Sequence, residues 1–208
     1  MVDKKSIVYV VDDDLSVRKA LERLLRSGGY KTKTFASALE FMNYSPPHVP
    51  CCLVSDIKMP KLTGLELQDR LAEKEIFIPI IFITAYGTVP DSVRALKAGA
   101  TDFLEKPFKE NELLAAVSQG IQKHHILMKQ NKRMKILTAR LQTLTPRERE
   151  VFKLVASGML NKQVAYDLGI TEKTVKVHRA QVMQKMKAES FADLVRFAEK
   201  LGIRSSAV

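Results

Sequence analysis

Up to residue 122 the sequence alternates between short strand-like runs and amphipathic helical patterns. The runs occupy residues 7–11, 30–35, 51–55, 78–84 and 102–104, and a segment with helical spacing of apolar residues follows each one. Most of the runs are apolar throughout, which is typical of strands covered on both faces. Strands that alternate with helices form a parallel sheet with helices on both sides. We therefore predict an α/β fold with a doubly wound, five-stranded parallel sheet.

The rest of the chain has only helical patterns. Residues 123–143 are basic, contain no acidic residue and carry loosely spaced apolar side chains, which favours a helical linker that extends the fifth helix. A capping box with proline at the first helical position, Thr145-Pro146-Arg147-Glu148, then begins an all-α segment of four helices. The predicted domains are 1–122, the linker 123–143, and 144–208.

The net charge of +11 lies entirely in the second part of the chain. Residues 1–122 hold 16 basic and 16 acidic side chains, whereas residues 123–208 hold 18 basic and 7 acidic ones. Such asymmetry indicates a polyanionic partner for one half of the chain. Double-stranded DNA is favoured over a membrane surface, because no basic stretch carries a large aromatic and leucine face.

The sequence also bears on location and redox chemistry. The longest apolar runs are shorter than a membrane span, and Met1–Lys5 lead into a strand without a signal-peptide pattern, so we expect a cytoplasmic protein without membrane contact. The adjacent Cys51 and Cys52 are interpreted as small apolar residues of a buried strand, since neighbours on a strand point to opposite faces. His124 and His125 are expected on the linker surface.

Complementary polar groups stand where the predicted strands end. Asp12, Asp13 and Asp14 follow the first strand, and Asp56 follows the third. Neighbouring carboxylates need a cation, and an all-oxygen site that is partly open favours Mg²⁺. Thr84 and Lys106 end the fourth and fifth strands. A carboxylate, a metal, a hydroxyl and an ammonium group together predict phosphoryl transfer to an aspartate.

These residues lie in motifs that resemble the receiver domains of two-component systems, which have a flavodoxin-like fold. The motifs are Val11-Asp12-Asp13-Asp14, Ser55-Asp56-Ile57-Lys58-Met59-Pro60, Thr84-Ala85 and Lys106-Pro107, and the resemblance covers residues 5–122. It implies that Asp56 accepts a phosphoryl group from a sensor histidine kinase. It also implies that Asp13, Asp56 and the backbone carbonyl of Lys58 bind Mg²⁺, while Asp12 acts through the metal's water molecules. Thr84 and Lys106 would contact the phosphoryl oxygens, and Phe103 would be a switch residue coupled to Thr84.

Two other enzyme classes fit poorly. A dinucleotide-binding fold requires a glycine-rich turn after the first strand, where this chain has an acidic turn. A phosphohydrolase with an aspartyl intermediate would place its nucleophile in the first acidic motif and would need a cap, for which no residues remain. We therefore expect a phosphoacceptor that is not an enzyme, apart from Mg²⁺-dependent self-phosphorylation and self-dephosphorylation.

The C-terminal segment resembles the LuxR-type helix-turn-helix, on the motifs 144–150, Asn161-Lys162-Gln163-Val164-Ala165 and Thr174-Val175-Lys176-Val177-His178. With the receiver, the whole chain resembles NarL/FixJ-type response regulators, most closely the FixJ-like branch, which includes regulators of aromatic-hydrocarbon catabolism such as styrene degradation. Helical spacing places Val175, Val182 and Met186 in the domain core. The opposite stripe is predicted to enter a major groove and contains Lys173, Lys176, Val177, Ala180 and Gln184.

Individual DNA contacts follow from side-chain chemistry. Lys176 can donate to guanine and Val177 can contact a thymine methyl group. Phosphate contacts are predicted for Asn161, Lys162, Lys173 and Thr174. His178 is expected to pack or to contact phosphate. Ala180 departs from relatives that carry a second lysine, which puts base contact there in doubt.

The sequence thus predicts a transcription regulator, an activator in our interpretation, whose DNA binding is controlled by phosphorylation of Asp56. Expected partners are a sensor histidine kinase, DNA, RNA polymerase and, after phosphorylation, a second copy in a homodimer. The alternative is a constitutive DNA-binding regulator whose receiver serves only protein interaction. The presence of Asp13, Asp56, Thr84 and Lys106 together argues against that alternative.

Overall fold

The computed structural model describes residues 6–85 and 89–203 and divides the chain into two compact units between Met128 and Lys129. The strands of the first unit are β1 (Ile7–Val11), β2 (Lys31–Phe35), β3 (Cys51–Asp56), β4 (Ile80–Thr84) and β5 (Asp102–Glu105). Its helices are α1 (Leu15–Ser27), α2 (Ala38–Met42), α3 (Gly64–Glu73), α4 (Val89–Lys97) and the beginning of α5 (Glu110–Gln142). The strands form one parallel sheet in the order β2-β1-β3-β4-β5, which confirms the predicted α/β class.

Two apolar cores cover the two faces of this sheet. Residues of one strand contribute alternately to each core: Cys51 and Leu53 of β3 lie in one cluster, and Cys52 and Val54 lie in the other. Both cysteines are free and buried, as expected for small apolar strand residues. Burial raises the pKa of the Cys51 thiol to about 12 and also raises that of Cys52, so both stay protonated.

Three elements are shorter than the sequence pattern predicts, and the first of them, the second strand, begins at Lys31 rather than residue 30. The fourth strand begins at Ile80 rather than residue 78, because Pro79 has no N–H to donate and pairing with β3 starts at Ile80. The helical pattern after Ser37 predicts a second helix through Tyr44, but this helix ends at Met42, and Tyr44 donates its backbone N–H to the Phe41 carbonyl in a turn.

The expectation that His124 lies on the linker surface is wrong. His124 is half-buried, and its Nδ1 lies 2.9 Å from the backbone nitrogen of Cys51, which donates the hydrogen bond. Gly120, one turn earlier on α5, approaches the sheet closely, since a Cβ there would lie 3.1 Å from the Cys52 Cβ. The beginning of the predicted linker is therefore packed against the start of β3, while His125 is exposed.

The second unit contains the end of α5 and four further helices, α6 (Pro146–Ala156), α7 (Asn161–Leu168), α8 (Glu172–Met186) and α9 (Phe191–Lys200). The predicted capping box is present, with Thr145 accepting from the Glu148 backbone and the Glu148 carboxylate accepting from Thr145. Val175, Val182 and Met186 are buried in one core, as their spacing predicts. Leu137, in the second half of the predicted linker, belongs to the same core.

An ion pair with a buried carboxylate joins α8 to α6. The carboxylate of Glu148, only 5% exposed, accepts from Nζ of Lys185 at 2.7 and 2.8 Å. Burial raises the pKa of Glu148, but Lys185 and the Thr145 amide lower it more, so the net pKa is below the ordinary value.

Among residues 6–85 and 89–203, no helix is long and apolar enough to cross a membrane. The prediction about Met1–Lys5 concerns a segment outside the described residues.

Candidate phosphoacceptor site and nucleic-acid interface

The carboxyl ends of β1 and β3 bring the predicted acidic residues together. The two strands are parallel neighbours, and Val11 pairs with Ser55, so the next residues along each strand, Asp12 and Asp56, lie side by side. Each of Asp12, Asp13 and Asp56 offers a carboxylate oxygen within 4.8 Å of the others.

Lys106 provides a positive charge beside this cluster. Its Nζ lies 3.1 Å from Oδ2 of Asp12 and 3.7 Å from Oδ1 of Asp56. Asp12 is almost fully buried, and its Oδ1 also accepts from the Asp14 backbone N–H. Asp12 is thus held in place by the chain itself.

Asp56 is held much less completely. Its Oδ1 is buried and accepts no hydrogen bond from the part of the chain that the structure describes. Burial raises the pKa of Asp56, and Lys106 opposes that shift while Asp12 and Asp13 add to it. A buried, unsatisfied carboxylate oxygen beside two further carboxylates fits a hard divalent cation such as Mg²⁺.

The other predicted site residues occupy neighbouring positions. Thr84 is buried at the end of β4, and its carbonyl accepts from the Lys106 backbone N–H at 2.8 Å. Phe103 is half-buried in β5 and pairs in register with Phe82, two residues before Thr84. Lys58 is exposed in the loop that follows Asp56.

Two residues that support this site were not predicted. Arg18 of α1 donates from its guanidinium to the Asp12 carbonyl at 2.6 Å. Gly64 begins α3 so close to the end of β3 that a Cβ would lie 2.3 Å from the Asp56 carbonyl oxygen. The sequence carries no local signal for the Arg18 contact, because that residue lies within an ordinary helical pattern. The sequence shows that Gly64 lies at the start of a predicted helix, but it does not predict the close contact with the Asp56 carbonyl, because that contact depends on how the helix packs.

The predicted DNA-contacting stripe is exposed on α8. Val177 is 56% exposed, so its side chain is accessible to a partner. The other members of the stripe are also exposed, namely Lys173, Lys176, Ala180 and Gln184. His178 is half-buried beside them.

The remaining predicted contacts lie at the beginnings of α7 and α8. Lys162 is exposed in the first turn of α7. Thr174 in the first turn of α8 is half-buried, and its hydroxyl lies 2.9 Å from that of the helix cap Thr171. Asn161, the first residue of α7, accepts from Arg179 of α8, a contact that the sequence did not reveal.

Two family models match the chain and leave little of it uncovered. The response regulator receiver domain matches residues 8–118, and the model for bacterial regulatory proteins of the LuxR family matches residues 142–198. The chain belongs to the NarL/FixJ family of response regulators. This confirms the resemblance seen in its motifs.

Relatives match over nearly the whole chain. Nodulation protein W of Bradyrhizobium diazoefficiens is 48% identical over 202 residues, which cover 97% of this chain and 89% of the relative. The transcriptional regulatory protein FixJ of Rhizobium meliloti is 43% identical over 92% of this chain and 94% of its own. Among solved structures, that of the response regulator StyR is 46% identical in sequence and superposes with a TM-score of 0.83. The match covers 94% of this chain and 99% of the StyR chain.

Proposed function

We propose that Asp56 is the phosphoacceptor of this response regulator and that a sensor histidine kinase is the donor. The observation that carries the proposal is the buried Oδ1 of Asp56, which has no hydrogen-bond partner among the described residues and faces Lys106 at 3.7 Å. Lys106 would attract the phosphoryl oxygens and compensate the charge that they bring. Thr84, at the end of the adjacent strand, would donate its hydroxyl to one of them.

Asp13 and Asp56, with the backbone carbonyl of Lys58, would hold Mg²⁺. When bound, the ion neutralises charge on the phosphoryl oxygens during transfer. Asp12 is already held by Lys106 and the Asp14 amide, whereas Asp13 and Asp56 would supply carboxylate oxygens that lie within 4.8 Å of each other.

Intact-mass analysis tests the phosphoacceptor directly. After treatment with acetyl phosphate and Mg²⁺, the wild type should gain one phosphoryl group and Asp56→Asn none. Asp14→Asn is the matched control, because Asp14 is exposed and caps α1, a role that asparagine also fills. This control should label like the wild type. Equal labelling of Asp56→Asn would refute the assignment.

We propose that α8 is the recognition helix and that it enters the major groove of DNA. Lys176 would donate to guanine, Val177 would contact a thymine methyl group, and Lys173 would contact phosphate. The first turn of α7, with Asn161 and Lys162, would contact the phosphate backbone, as would Thr174. As a DNA-binding regulator, the protein would act in the cytoplasm together with RNA polymerase, as an activator.

Phosphorylation would act through dimerisation. Thr84 drawn toward the phosphoryl group would leave room for Phe103 to turn inward and would remodel the neighbouring surface of α4. That helix exposes Val93, Leu96 and Lys97, with the two apolar side chains 43% and 49% exposed. A single helix-turn-helix reads few base pairs, so a dimer on two half-sites would raise specificity.

Light scattering tests this step. The protein should be mainly monomeric alone and dimeric with Mg²⁺ and beryllofluoride, which mimics the phosphoryl group. Leu96→Glu should lower the dimer fraction, whereas Phe77→Glu, a change at an exposed apolar residue outside α4, should not. A dimer of the same strength with and without beryllofluoride would refute the proposed step.

A further inference from the structure

We infer that Arg179 is a positioning residue for DNA binding, which orients the amide of Asn161 so that its nitrogen faces a DNA phosphate. The inference rests on the proposed DNA binding and assigns a role to a residue outside the predicted recognition stripe. Arg179 lies on α8 and is half-buried, whereas the stripe residues around it are exposed.

The contact between Arg179 and Asn161 links the two helices of the helix-turn-helix. The guanidinium Nη1 of Arg179 lies 3.1 Å from Oδ1 of Asn161, and the two residues are 18 positions apart. Asn161 is the first residue of α7, so the contact fixes a side chain at the helix terminus where backbone N–H groups attract anions.

The chemistry of the two groups determines how the amide is oriented. A guanidinium group has only donors, so the atom that faces it must be the amide oxygen. The amide nitrogen therefore lies on the other side of the Asn161 side chain. Without Arg179 the amide could rotate and present its oxygen to a phosphate, and two acceptors would then repel each other. Arg179 removes this unproductive orientation.

A second contact holds Arg179 itself. Its guanidinium carbon lies 5.3 Å from the centre of the Phe191 ring at the start of α9, within the range of a cation–π interaction. Arg179 thus connects α8 to α7 through Asn161 and to α9 through Phe191, and both partners contact its guanidinium group. This placement favours positioning of Asn161 over a direct contact of Arg179 with DNA.

The test measures the affinity of the full-length protein for two short fluorescent duplexes across a range of salt concentrations. One duplex is selected by the wild type from a random pool, and the other has an unrelated sequence. Arg179→Met should weaken binding to both duplexes by about tenfold, because a hydrogen bond to a charged phosphate is lost from each complex. The dependence of affinity on salt should keep its slope, since the lost contact is made by the neutral amide of Asn161 and not by a cationic group.

A double-mutant cycle identifies the route of the effect. Asn161→Ala and the double variant Arg179→Met with Asn161→Ala should bind about as weakly as Arg179→Met alone. Arg179→Lys keeps a donor for the amide oxygen and should restore part of the affinity, which a loss of folding would not explain. Arg196→Met, which removes an exposed arginine paired with Asp193 on α9, should bind like the wild type.

Three results would overturn the inference. Additive losses in the double variant would show that Arg179 acts independently of Asn161. A decrease of the salt slope by about one in Arg179→Met would show that Arg179 itself neutralises a phosphate. If Arg179→Met bound both duplexes with wild-type affinity, Arg179 would have no role in DNA binding. A wild-type protein that binds neither duplex would instead refute the proposed DNA binding, and this inference with it.

Discussion

Gly64 allows α3 to begin directly against the backbone of Asp56, and its replacement by alanine should displace that backbone. The added Cβ would lie 2.3 Å from the Asp56 carbonyl oxygen, 3.0 Å from the Phe82 ring and 3.2 Å from the Asp56 carbonyl carbon. Ordinary van der Waals contact begins near 3.4 Å, so the backbone of α3 or of Asp56 must move by about 1 Å. The near neighbour is backbone, which cannot rotate away as a side chain can.

We expect Gly64→Ala to lower the free energy of unfolding by about 1–3 kcal/mol, the usual cost of an overpacked core position. Since the displaced backbone carries Asp56, labelling by acetyl phosphate should also slow by at least about tenfold, because a displacement of about 1 Å in a reacting group can cost that much or more. Thermal unfolding and the rate of phosphoryl incorporation by intact mass measure the two effects.

Gly120→Ala is the matched control. Its added Cβ would lie 3.1 Å from the Cys52 Cβ, so it also crowds the core. Cys52 lies four residues before Asp56 on β3, about 13 Å along the strand. This variant should label at the wild-type rate, because the crowded atoms lie far from Asp56. A Gly64→Ala protein that labels as fast as Gly120→Ala would refute the reasoning about the Asp56 backbone.

Three further predictions concern other parts of the chain. Glu148→Gln should lower the free energy of unfolding of the second unit by about 2 kcal/mol. It should also make that free energy less sensitive to acid, because the low pKa of Glu148 in the folded state gives stability that is lost as the pH falls through this pKa. Chemical denaturation at several pH values measures both effects. Burial lowers the pKa of His124, so this residue contributes stability to the first unit that is present above about pH 6.5 and is lost as the pH falls below it. His124→Ala should therefore flatten this part of the pH dependence in thermal scans. In competition binding, Lys176→Ala should relax discrimination at one base pair, at a cost of roughly 1–3 kcal/mol. Lys173→Ala should instead weaken binding to all DNA sequences and reduce the slope of affinity against salt concentration by about one. Similar behaviour of the two variants would refute their separate roles.

The sequence predicts those features that depend on local pattern. The apolar runs predict the strands, and because parallel strands place their carboxyl ends at one edge, the pattern also brings Asp12 and Asp56 together. Capping chemistry predicts where α6 begins, and helical spacing predicts that Val175 is buried.

Contacts between distant segments could not be predicted in this way. His124 and Cys51 are 73 residues apart, and nothing in either segment indicates that Nδ1 accepts from that amide. The pairing of Arg179 with Asn161 likewise depends on the crossing of two helices, which the periodicity of each helix does not determine.

The central claim is that modification of Asp56 controls DNA binding, and the most direct test is the affinity for DNA in the two states. The selected duplex should be titrated with wild type and Asp56→Asn, each with and without Mg²⁺ and beryllofluoride. We predict that the wild type binds at least about fivefold more tightly with beryllofluoride, the lower end of typical coupling between sites, and that Asp56→Asn does not respond. Equal affinity of the wild type in both states would contradict the claim and would identify a constitutive DNA-binding protein.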